Sequence, residues 1–179
     1  AMITWVEFRR LTSVFCVLLV LACLAPSTAA FGADALPSVR LNADSISPRP
    51  IEELTGKNIA RDYAFAWQTL AQALDQNRAD LLEGYFTGFA KEEFARAVVD
   101  QKKSGIRVRY IDHGHKVSAI FYSPSGDAMQ LQDTAQLEVQ ILDGDKMVHQ
   151  EQVALNYLVV MTPAADRWVV RLLETVPAF

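Results

Sequence analysis

Residues 128–142, AMQLQDTAQLEVQIL, decide the fold. Met129, Leu131, Ala135, Leu137, Val139 and Ile141 fall on one side of a period-two alternation, and Gln130, Gln132, Gln136, Glu138 and Gln140 fall on the other. Such a segment belongs to a sheet with one buried face and one wet face. Turn chemistry brackets it: Ser-Pro-Ser-Gly at 123–126 before, Asp-Gly-Asp at 143–145 after, and Thr-Pro-Ala-Ala-Asp at 162–166 further on. These breaks divide the C-terminal part into four predicted strands, 106–122, 128–142, 147–161 and 167–176. Links this short force antiparallel neighbours, so the expected sheet is a meander. The first strand is apolar at even positions early (Ile106, Val108, Tyr110) and at odd positions late (Val117, Ala119, Phe121). That change of parity predicts a bulge or sharp bend between Ile111 and Lys116, where Gly114 sits.

Upstream the period lengthens. Ile59, Tyr63, Ala66, Trp67, Leu70 and Leu74 recur at intervals of three and four, which predicts one amphipathic helix from a Thr55 cap to a stop at Asn77. Ala79 to Tyr85 suggests a short second helix. A third, Phe89 to Lys103, sets Phe94, Ala97, Val98 and Gln101 on one stripe and closes at Gly105. The expected class is therefore α+β: N-terminal helices packed into the concave face of a long, bent four-stranded antiparallel sheet, preceded by a hydrophobic leader or anchor helix.

The stretches DYAFAWQTLAQALDQNRADLLEGYF (62–86), LQDTAQLEVQILDG (131–144), VALNYLVVM (153–161) and DRWVVRLLE (166–174) resemble the nuclear transport factor 2-like superfamily. This is the cone-shaped fold shared by ketosteroid isomerase and SnoaL-type proteins, and the resemblance covers about residues 56–176. It lies in architecture and rhythm and implies a deep pocket between sheet and helices. The superfamily includes isomerases, cyclases, dehydratases, carriers and interaction domains, so the fold does not choose among chemistries.

The chain has 179 residues, 51% of them hydrophobic, with 17 basic and 21 acidic side chains, 8 Gly and 2 Cys. Disorder, collagen-like order and a disulfide scaffold are excluded, and a net charge of −4 offers no footprint for nucleic acid. Residues 1–35 have the order of an export leader: the basic pair Arg9 and Arg10, an apolar run from Leu11, then small residues. Three fates stay open. Val20-Leu21-Ala22-Cys23 is similar to a lipobox, which would acylate Cys23; cleavage could follow Ala30 or Ala35; or residues 3–25 could remain as a membrane anchor. Each places the folded part in the periplasm or at the outer face of a bacterial inner membrane. Both cysteines, Cys16 and Cys23, lie in this leader, so the exported part has no thiol chemistry. Residues 36–50, LPSVRLNADSISPRP, read as an extended linker, and residues 51–179 as the folded domain.

Asp133 is the most informative residue. It occupies an odd, core-facing position in an otherwise apolar series, and a buried carboxylate needs a partner. Tyr157 is expected opposite it on the third strand. The pair could supply a general base and a polarising donor, or it could be a satisfied polar pair in the core. Tyr63, Trp67, Tyr85, Asp133, Tyr157 and Trp168 are the expected pocket lining. Asp112-His113-Gly114-His115 could chelate an ion with His149 or Glu151, but a solvated bend accounts for the same residues. Glu174 is a second possible inward carboxylate that more readily reaches water at its strand's end. Lys102, Lys103, Arg107 and Arg109 read as a solvated face. Phosphate loops, nucleophile elbows and zinc-helix motifs are absent, and no cofactor or metal is expected. The preferred function is a non-enzymatic accessory module that docks a protein partner, a second copy through the outer sheet face, or a small apolar ligand. The alternative is an isomerase or cyclase with Asp133 as base.

Overall fold

The computed structural model describes residues 36–178. The export leader, the acylation of Cys23 and the anchor at residues 3–25 lie outside the described residues. Among the described residues, no helix is long and apolar enough to cross a membrane.

Helix α1 spans Glu53–Gln76 and ends at Asn77, whose φ of 53° is left-handed and whose N–H bonds back to the last turn. Asparagine tolerates that conformation. The N-terminal cap is Glu52 rather than Thr55, and its side chain caps no backbone N–H of the first turn, accepting instead from the Thr55 hydroxyl at 3.3 Å. A 3-10 turn at Ala79–Gly84 leads to α2, Gly88–Lys103. Gln101, on the stripe expected to face inward, is buried and donates to Leu74 O and Asn77 Oδ1 at 2.5 and 2.6 Å, tying the two helices together.

The four long strands run Ile106–Tyr122, Met129–Asp143, Lys146–Pro163 and Trp168–Val176. Two more strands precede them, so in chain order β1 is Val39–Asn42, β2 is Ser47–Pro48 and the long strands are β3 to β6. The sheet is thus six-stranded and mixed, not four-stranded and antiparallel. Its order is β1-β3-β4-β5-β6, with β2 also on β3, and both short strands pair with β3 in parallel. They come from the segment expected to be a linker. A parallel partner needs a long crossover, which the helices between Glu53 and Lys103 supply.

The helices pack on the sheet's inner face through Ile59, Tyr63, Trp67, Leu70 and Leu74, against Val117, Leu131, Ala135, Leu137 and Val159. Register breaks between Asp112 and Gly114, where the parity of β3 predicts a bulge. Gly114, at φ 121°, supplies a backbone conformation that side-chain-bearing residues disfavour.

Candidate functional site

Asp133 faces inward and is fully buried. Its register partner on β5 is Tyr157 and on β3 is Val117. Tyr157 is its neighbour but not its hydrogen-bond donor. Asp133 Oδ2 instead accepts from the Tyr63 hydroxyl of α1 and lies against His115 Nδ1 of β3, each at 2.7 Å. The opposite ring nitrogen, His115 Nε2, lies 2.7 Å from Asp112 Oδ2. Asp112 is fixed in turn, because its Oδ1 accepts the Gly114 N–H at 2.7 Å across the bulge.

This array sets the charge of His115. A neutral imidazole donates through one nitrogen only, and its other lone pair would then face a carboxylate oxygen. With a carboxylate at each nitrogen, the imidazolium is the form that satisfies both. Burial is the largest single influence and pushes the imidazole pKa down. The two carboxylates together outweigh it and hold it at about 9. A cation thus sits between two anions, in a line of contacts that runs from the Asp112 side chain, 16% exposed, to Asp133 at 0%.

Aromatic rings close over the array. Trp67 lies 4.6 Å from the His115 ring and 5.4 Å from Tyr157, and Tyr63 meets His115 edge-on at 5.8 Å. Burial raises the pKa of both tyrosines, with the Asp133 charge adding to it, so both stay neutral donors. Two buried polar atoms are left without hydrogen bonds, Asp133 Oδ1 and Trp67 Nε1.

Of the expected lining, Tyr63, Trp67, Asp133 and Tyr157 converge on His115. Tyr85 stacks on Phe65 at 5.5 Å under the Arg167 guanidinium, and Trp168 packs on Tyr122 at 6.2 Å; neither joins the array. The histidines part company at the bulge: the extra residue there, His113, is exposed, while His115 is buried. On a regular strand they would share a face. His149 is exposed and pairs with Glu151 at 3.4 Å. Among the described residues no group of three or more ligating side chains could hold a metal. Glu174 is exposed. Arg107 and Arg109, expected to be solvated, instead converge on Asp75 of α1.

One buried anchor escapes the periodicity argument. Asp62 is 1% exposed and its Oδ2 accepts the Trp168 N–H at 2.8 Å, joining α1 to the start of β6. The signal exists, because Asp62 stands three residues after Ile59 and four before Ala66 on the apolar stripe.

No family model matches the chain, and no curated protein matches it in sequence. Solved structures do resemble it. The intermembrane-space region of the chloroplast protein ARC6 superposes with a TM-score of 0.61 at 12% identity, covering 73% of this chain and 100% of that one. A protein titled a dehydratase of the nuclear transport factor 2-like family from Streptomyces avermitilis gives 0.47 at 11% identity, over 69% and 99% of the two chains. A cystatin-like protein from Nostoc punctiforme gives 0.40 at 12%, over 72% and 96%. Helices seated in a bent sheet are matched over the whole of the ARC6 region, and the likeness is one of fold.

Proposed function

We propose that this protein is a non-enzymatic accessory module, exported and held at or near a bacterial membrane by residues 1–35, that docks a protein partner. The observation that supports this best is the state of Asp133. Its carboxylate is wholly buried, its Oδ2 is already engaged by Tyr63 and His115, and the Trp67 ring packs against both His115 and Tyr157. A base in that position is spent on holding the cone together. The outer sheet face is free to be used, since Gln130, Gln132, Gln136 and Gln140 are all at least partly exposed there.

The test is gentle detergent extraction of native membranes, purification through a C-terminal tag, and mass analysis of the intact chain with whatever accompanies it. The expected result is a stoichiometric partner and an N-terminus that is acylated at Cys23 or retained. A lone soluble chain beginning after Ala30 or Ala35 would overturn the proposal.

A second reading is favoured by one observation. Asp133 Oδ1 and Trp67 Nε1 are buried without partners, and such atoms are costly unless something bonds them. An isomerase or cyclase would use Asp133 as base, through its unpartnered Oδ1, with Tyr157 as donor. Turnover of an enolisable ketone, abolished by Asp133→Asn in a folded protein, would establish it.

A further inference from the structure

A trough crosses the outer face of the sheet at the bulge. Two depressions, of about 510 and about 160 Å³, share His113 and Gln136 and so run together. One end is lined by Ser38, Arg40 and Lys116, over β1 and β3. The other is lined by Gln152 and Ala154, over β5.

Arg40 and Lys116 are register partners in the parallel β1–β3 pair, and both are exposed. Among the described residues, neither their side chains nor that of His113 makes a hydrogen bond or ion pair. Glu138, two residues beyond Gln136 on the same face, is engaged by the Gln140 and Gln150 amides at 2.6 and 2.9 Å. Two like charges side by side across a strand pair repel. An anion laid against them would relieve that repulsion, on a chain that is acidic overall.

The geometry points to this trough as the docking site for an acidic peptide segment of a partner protein, extended across the strands. From β1 to β5 the trough crosses three strand spacings, about 14 Å, room for about four extended residues. Gln136 and Gln152 offer amide donors and acceptors for its backbone. The cations line a concavity rather than stand on a ridge, which suits a chain and not a flat lipid surface. This inference rests on the outer face being the contact surface of the proposed module, and it names the partner's chemistry.

The test is fluorescence anisotropy on the full chain in non-ionic detergent. The probe is a labelled peptide of about eight residues alternating glutamate and alanine. Saturable binding is expected, weakened by added salt and about ten-fold by Arg40→Ala with Lys116→Ala, and unchanged by Arg171→Ala on β6. Charge reversal, Arg40→Glu with Lys116→Glu, should transfer binding to a lysine–alanine peptide. Lys116→Gln serves the same comparison if a double variant fails to fold. No binding, binding unchanged in a folded variant, or retention on phosphatidylglycerol vesicles without peptide binding would overturn the trough. If the same stoichiometric partner accompanies the wild type and the double variant, the trough falls and the accessory module stands. If no partner accompanies either, the module falls.

Discussion

His115 carries a charge that helps hold the fold, and its pH dependence has a definite sign. Its folded pKa of about 9 lies above the ordinary histidine value of about 6.5. Below the lower value the ring is protonated whether folded or unfolded, and the stabilisation is complete. As pH rises through about 9 the folded form also loses its proton, and the contribution is gone. The gap corresponds to about 3 kcal/mol at most. Thermal melts are expected to show falling stability between about pH 6.5 and pH 9, and His115→Gln should flatten that slope. An unchanged slope would mean that the ring is neutral in the fold. Asp133→Asn leaves the imidazolium with one carboxylate instead of two, and breaking a buried pair costs about 3 kcal/mol or more. Urea unfolding should show that loss, with the His115 proton titrating at lower pH by NMR. Asp133 stands out in the sequence as a carboxylate in an apolar series. His115 does not, because its partner lies in the next strand and its facing depends on the bulge at His113.

Among the elements, β1 departs most from expectation. A four-residue strand is too short to show its period against three nearby prolines, and its partner β3 is more than seventy residues away. Yet Val39 and Leu41 are half-buried and pack on the core. Leu41→Ala should therefore lower unfolding stability by about 1–2 kcal/mol, the low end for a truncated aliphatic because the site is only partly buried. A linker would show no loss. The last strand carries a bulge of its own. Register shifts between Val160 and Met161, so Arg171 is the extra residue on β6, and Leu173 rather than Leu172 is the more buried of the two. A bulge in one strand resets the parity of everything after it, and the apolar triplet Trp168-Val169-Val170 before Arg171 and the pair Leu172-Leu173 after it carry no alternation that would reveal it.

For the whole molecule, residues 36–50 should behave as part of the fold. A chain starting at Leu36 is expected to keep the melting temperature of the longer one. A chain starting at Ile51 should melt lower by about 10 °C, since it loses two strands from the sheet. Differential scanning calorimetry on the two truncations distinguishes these outcomes. Sequence alone determined the elements whose information is local: the amphipathic helices, the four long strands, the turns, the bulge near Gly114 and the inward carboxylate of Asp133. Hydrophobic period and turn chemistry are written in neighbouring residues. Only the tertiary structure decided the parallel seating of β1 and β2, the union of Asp112, His115, Asp133 and Tyr63, and the trough between Arg40 and Gln152. Each of these joins residues far apart in the chain, and each depends on strand register, which one extra residue reverses.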